Sequence, residues 1–190
     1  MTYAPMRGCN PFIVLLLSAL TVGHTGCSQD LKWSAVESLI NSDFPGVTSI
    51  SGDSLARALS DTSGTPVILF DARTRAEYDV SHIPGAVHLD PTTTDFSFLD
   101  TLDQSTPIVT YCSVGYRSAQ MAARLNEAGF ENASNLQGSI FEWANEGRTV
   151  VRNGEPVREV HPYDRIWGQL LDPELKAYAP GGFSGGADTN

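Results

Sequence analysis

The chain has 190 residues, a length that fits one domain with extensions. Hydrophobic residues make up 41% and charged residues 18%, which is a globular composition rather than a disordered or collagenous one. Lysine and arginine number 12 against 22 aspartates and glutamates, so the net charge is -10; with no basic stripe, nucleic acid is not an expected partner, and the surplus acid reads as solubilising surface. Three cysteines are too few for a disulfide framework or a zinc cluster. No metal is expected.

Residues 1–26 read as an export signal rather than as fold. The apolar run Phe12 to Leu20 is well short of the roughly 20 residues that a membrane span requires, and it fits the hydrophobic region of a signal peptide. Small residues then lead to Cys27 in "LTVGHTGCS". This stretch resembles a bacterial lipobox, with His24 where an aliphatic residue is usual. The expectation is cleavage before Cys27 and lipidation of that residue, giving an exported protein anchored to the membrane in the cell envelope or periplasm. Ordinary secretory cleavage near Gly23 or Gly26 is the alternative. Residues 27–46 read as a linker in which Leu31, Trp33, Val36, Leu39 and Ile40 can form one face of a helical turn or two, ending at the "DFPG" stop.

Residues 47–148 carry the periodic elements. "VTSISGDSLARALS" predicts a brief strand and a helix capped by Ser51 or Asp53, with Leu55, Ala58 and Leu59 as its apolar stripe. A buried strand follows over Val67 to Phe70, then a short helix over Thr74 to Val80, and a short strand over Ala86 to Leu89 after the turn "HIPG". Pro107 to Tyr111 is the strongest strand and runs straight into Cys112. Met121, Ala122 and Leu125 recur at helical spacing, and Gly129 supplies the stop. A last strand ends at Leu136, and a closing helix carries Phe141 and Trp143 as core residues. Short apolar strands alternating with helices predict an α/β fold with a mainly parallel sheet. Residues 149–190 read as a C-terminal extension with few helical periods and a Gly-rich, frayed end.

The chemistry concentrates at one turn, "YCSVGYRSAQ". Cys112 stands where a buried strand ends and a helix begins, the edge at which parallel α/β sheets bind ligands. The N–H groups of Ser113, Val114, Gly115 and Tyr116 can curl around an anion, with Gly115 allowing a positive φ. The helix N-terminus and Arg117 add positive potential. Together these lower a thiol pKa and favour a thiolate nucleophile, whereas an isolated strand-end cysteine is more often a core residue. Asp71 and Arg73 are read as a structural pair at a strand end, a possible second layer behind the loop. His82 and His88 are read as turn and strand residues without chemistry. His161 and Trp167 can fold back toward the site mouth.

The blocks "VILFDARTRAEYDVSHIPGAVHL" and "YCSVGYRSAQMAARLNEAGF", with "NASNLQGSIFEWANEG" after them, resemble the rhodanese (thiosulfate sulfurtransferase-like) domain. The family's Asp-x-Arg, Glu-Tyr and Ser-His-Ile-Pro-Gly-Ala pattern is met by Asp71, Arg73, Glu77, Tyr78 and residues 81–86. The resemblance implies a single domain with a five-stranded parallel sheet flanked by helices on both faces. It also implies sulfur transfer through a Cys112 persulfide, from an anionic donor such as thiosulfate or a persulfide to a thiol or cyanide, with no cofactor. Ser113 departs from the Arg or Lys common at that place in active members. Arg117 closes a loop of Cys, four residues, Arg; the related phosphatases have five intervening residues, so a phosphatase is disfavoured. A catalytically weak sulfur-carrier, sensing or binding module is the alternative to an active enzyme.

Overall fold

The computed structural model describes residues 26–182. The expected export signal falls outside the described residues except for Gly26, and so does the chain's end from residue 183 onward.

Five strands form one sheet in the order β1-β5-β4-β2-β3, and every pairing is parallel. They are β1 (Thr48–Ile50), β2 (Ile68–Asp71), β3 (Val87–His88), β4 (Ile108–Tyr111) and β5 (Ala133–Leu136). Parallel neighbours need crossovers; helices α3 (Arg75–Val80) and α4 (Tyr116–Glu127) supply those from β2 to β3 and from β4 to β5, while α2 (Gly52–Ser60) leads from β1 to the non-adjacent β2. Helix α1 (Gly26–Asp43) precedes the sheet and α5 (Ser139–Asn145) follows β5. Alternation along the strands divides the core between the two faces. Leu69 and Val109 join one cluster with Leu55, Ile140 and Phe141, while Phe70 and Ile108 join the other with Met121, Ala122 and Leu125. The α/β sheet with helices on both faces agrees with the sequence expectation.

Local chemistry explains the helix starts. Ser51 accepts the Ser54 N–H at 3.3 Å and opens α2. Thr74 and Glu77 form a reciprocal capping box at α3: the Thr74 hydroxyl accepts the Glu77 N–H, and the Glu77 carboxylate accepts the Thr74 N–H at 3.0 Å. That box fixes Glu77 in a buried position that matters at the site. Helix α4 stops before Gly129, whose φ of +102° needs the freedom of a glycine.

Two segments differ from the sequence expectation. Residues 27–46, read as a linker, are mostly the 18-residue helix α1. Its Val36 and Ile40 are buried in the main core cluster, and burying each such side chain contributes about 1.5–3 kcal/mol. Leu31 and Leu39 on the same helix are exposed, so the apolar positions do not form one clean stripe, and periodicity understated the element. The C-terminal extension is likewise part of the core. Strands β6 (Val150–Arg152) and β7 (Glu155–Val157) form an antiparallel hairpin, and Val151 exchanges backbone hydrogen bonds with His82. Val150, Val160, Leu170, Leu171 and Leu175 are buried in the same cluster as Val109 and Ile140. These residues lie on a hairpin, an isolated β-bridge at Val160 and short 3-10 turns or their ends, which show no helical period. No helix among the described residues is long and apolar enough to cross a membrane.

Candidate active site

Strand β4 lies at the centre of the sheet and delivers Cys112 to its C-terminal edge. The turn from Cys112 to Gly115 then enters α4, and Gly115 sits at the N-cap with φ +113°. A side chain there would be strained by that φ, and its Cβ would come within 3.0 Å of Ile40 Cδ1. The loop is oriented from behind by α5. Ile140 and Phe141 donate N–H groups to the carbonyls of Cys112 and Ser113, each at 3.2 Å. The Cys112 N–H donates to Ser139 Oγ at 3.2 Å. With those carbonyls drawn toward α5, the Gly115 N–H turns inward and donates to Cys112 Sγ at 3.2 Å.

A second tie runs through α4 and β5. Ser118 Oγ donates to Asn135 Oδ1 at 2.7 Å, and Asn135 Nδ2 donates to the Gly115 carbonyl at 3.1 Å. Cys112 is buried, with 1% of its surface exposed. Burial pushes its thiol up, but the Arg117 charge and hydrogen bonds from Ser118 and the Gly115 N–H outweigh it, and the pKa falls below the ordinary thiol value. Of the loop N–H groups, that of Gly115 meets the sulfur, joined by Ser118 and by the charge of Arg117.

The loop side chains point elsewhere than into the ring. Ser113 Oγ donates to Glu77 Oε1 at 3.0 Å. Val114 is buried in the core cluster that includes Ile40. Tyr116 Oη donates to Asp43 Oδ2 at 2.7 Å, and its ring meets Phe44 edge-on at 5.3 Å, which fastens the loop to the end of α1. Only the backbone of these residues is left to face an anion.

Arg117, read from the sequence as a cation beside the loop, is forked on Glu77, and its charge still acts on the Cys112 thiol. Its Nη2 donates to Glu77 Oε1 at 2.7 Å and to Ser113 Oγ at 3.0 Å, and its Nη1 donates to Glu77 Oε2 at 3.0 Å. Burial alone would raise the Glu77 carboxyl, but hydrogen bonds and charge from Arg117, with the Thr74 contacts, hold it down at about 2. The Tyr163 ring covers the Arg117 guanidinium at 4.5 Å.

Asp71 and Arg73 form a fully buried pair. Arg73 Nε donates to Asp71 Oδ1 at 2.8 Å, Nη2 donates to Asp71 Oδ2 at 2.6 Å, and Nη2 also donates to the Ser81 carbonyl at 2.6 Å. The pair thus ties the end of β2 to the loop after α3. His82 stacks on Tyr78 at 3.9 Å, and His88 Nε2 lies 2.9 Å from the Arg73 carbonyl. His161 is half-buried and feels the charges of Glu77, Arg73 and Arg117; burial, the largest influence, lowers its pKa. Its Nδ1 accepts the Tyr163 N–H at 3.1 Å. Trp167 packs against the main core cluster.

Sequence reasoning missed Glu77, Ser118, Asn135, Ser139 and Tyr163 as parts of the site. Glu77 carried a signal, since Thr74 followed three residues later by an acid is a capping-box pattern. Ser118, Asn135 and Ser139 reach the loop from separate elements, and no local pattern marks them.

Comparison with known proteins bears on the family and the fold. A model of the rhodanese-like domain matches residues 53–146. The chain is 35% identical over 109 residues to a sulfurtransferase of Allochromatium vinosum, covering 55% of this chain and 95% of that one. It is 39% identical over 83 residues to the probable adenylyltransferase/sulfurtransferase MoeZ of Mycobacterium tuberculosis, covering 43% of this chain but only 21% of that protein. A thiosulfate sulfurtransferase from Pseudomonas aeruginosa shares the fold, with a TM-score of 0.51 at 19% identity over 75% of this chain and 27% of that one. The central parallel sheet, the loop from Cys112 to Arg117 and these likenesses lead to one conclusion: the chain belongs to the rhodanese-like domain family.

Proposed function

We propose that the protein is a sulfurtransferase that carries sulfane sulfur on Cys112. The observation that carries the reading is the sulfur atom itself: a thiol with a lowered pKa, held at a strand end by an inward N–H and next to a helix N-terminus. In the proposed cycle the Cys112 thiolate attacks the outer sulfur of a donor. With thiosulfate the S–S bond breaks, sulfite leaves with the bonding electron pair, and Cys112 becomes a persulfide anion. Cyanide or a thiolate then takes the outer sulfur and returns the thiolate. Loop N–H groups stabilise the anionic sulfur at each stage, and the thiolate supplies the chemistry without a cofactor. Thiocyanate formation from thiosulfate and cyanide tests the reading: activity should be present in the wild type and absent in Cys112→Ser, because an alcohol cannot hold sulfane sulfur.

Export and lipid anchoring through Cys27 form part of the same proposal and rest on the sequence of the signal. Cys27 is the second residue of α1, and Ile40 of that helix abuts the active-site loop. At about 1.5 Å rise per residue, a lipid on Cys27 would place the membrane surface only about 20 Å along the helix from the site.

A further inference from the structure

Among the described residues, the two guanidinium groups at the loop, Arg73 and Arg117, each already have a carboxylate partner. Arg117 is the cation whose charge acts on Cys112, and Glu77 pairs with it through two hydrogen bonds. A third Arg117 N–H goes to Ser113, and the Tyr163 ring occupies the guanidinium face. Arg73 is ion-paired with Asp71 and has none of its surface exposed, its Nη1 lying buried without a hydrogen-bond partner. Ser113, Val114, Gly115 and Tyr116 add no cation.

The cover over Arg117 is built with some effort. Tyr163 stands in the left-handed region at φ +65°, a conformation that is strained for a non-glycine residue. His161 holds it there through the Tyr163 N–H, and the Asp164 carboxylate secures the next turn by accepting the N–H groups of Ile166 and Trp167, each at 2.8 Å. Tyr163 lies outside the residues that match the family model, so the cover is a feature of this chain's own extension.

From this charge balance we infer that the site selects a sulfur donor of low charge, an organic hydropersulfide, over the thiosulfate dianion; the inference rests on the sulfurtransferase reading above. Attack on thiosulfate gathers the thiolate and the dianion, three negative charges, against backbone dipoles and a guanidinium already paired. Attack on a hydropersulfide, R–S–S–H, adds no charge. The Cys112 thiolate forms a bond to the terminal sulfur, the R–S to S bond breaks, and R–S⁻ leaves with the electron pair. The proton stays on the transferred sulfur, so atoms and charge balance.

The test uses the wild-type chain with sodium thiosulfate and with cysteine persulfide, following persulfide loading of Cys112 by intact mass. A hydropersulfide is the more reactive donor in solution, so the thiosulfate-to-persulfide rate ratio is compared with that of free N-acetylcysteine. The expected ratio at Cys112 is lower than the reference by about tenfold or more. Glu77→Gln should raise the ratio about tenfold by releasing the Arg117 charge; because it is a ratio, a change in thiolate fraction cancels. Tyr163→Ala, a change at a partly exposed position, should raise it about threefold while Tyr163→Phe leaves it unchanged. A wild-type ratio at or above the reference would overturn the inference, and would point to exposed Arg165 on the same turn as the missing cation. An unmoved ratio in folded Glu77→Gln and Tyr163→Ala would overturn it as well. Loading by neither donor would overturn the sulfurtransferase reading itself, and the inference with it.

Discussion

Replacing Glu77 by glutamine removes one charge from the most connected group at the site while keeping its shape. The Glu77 carboxyl is held at about 2 against an ordinary value of 4.5. Its side chain is 3% exposed, so solvent screening discounts the shift little. A depression of that size corresponds to about 3 kcal/mol of stability, within the range for breaking one side of a buried pair. Because the folded pKa is depressed, this stability is fully present above the unfolded value of 4.5 and is lost as pH falls toward 2. Urea unfolding followed by tryptophan fluorescence at pH 7, 5 and 3 measures the effect. The variant should be about 3 kcal/mol less stable than the wild type at pH 7, and the gap should narrow steadily below pH 5. A gap under about 1 kcal/mol at pH 7, the scale of an exposed ion pair, or one that does not change with pH, would refute the view of Glu77 as the buried anchor of Arg117.

Other consequences follow from the same contacts. Gly115→Ala should destabilise the protein by about 1–3 kcal/mol and slow thiol alkylation, since its φ is +113° and its Cβ would press on Ile40; denaturant unfolding and iodoacetamide kinetics check both. Ile40→Ala should cost about 2–5 kcal/mol in the same unfolding assay, although residue 40 lies before the family-matched segment; a loss under 1 kcal/mol would return α1 to the status of a tether. Arg117→Met should shift the pH midpoint of Cys112 alkylation upward, because the Arg117 charge pulls the thiol down; an unmoved midpoint would assign the lowering to the loop N–H groups alone. Labelled palmitate should enter the wild-type chain expressed with its signal and be absent from Cys27→Ala; equal labelling, or a mature N-terminus elsewhere, would leave a simply secreted protein.

The sheet and the position of the Cys112 loop were legible because they depend on short-range pattern. The apolar runs ending at Phe70 and Tyr111 mark β2 and β4 to within a residue, and a cysteine at the end of the central strand, followed by glycine and a helix, marks the site. What the sequence concealed depends on partners distant in the chain. Arg117 reads as a free cation until Glu77, forty residues earlier, is brought against it. Tyr116 looks like a loop residue until Asp43 reaches its hydroxyl. Helix α1 and the segment after residue 148 bury apolar side chains without a clean stripe, because they cover an existing core rather than form one face of their own. Tyr163 occupies a conformation that glycine usually takes, and nothing in its neighbours announces it.

The central claim is that Cys112 accepts and releases sulfane sulfur, and intact mass of the full chain measures that directly. After incubation with thiosulfate or cysteine persulfide, the protein should gain the mass of one sulfur atom, which cyanide should then remove as thiocyanate. The gain should map to the peptide carrying Cys112 and be absent from Cys112→Ser. A wild-type mass unchanged by either donor, or an equal gain in Cys112→Ser, would contradict the account.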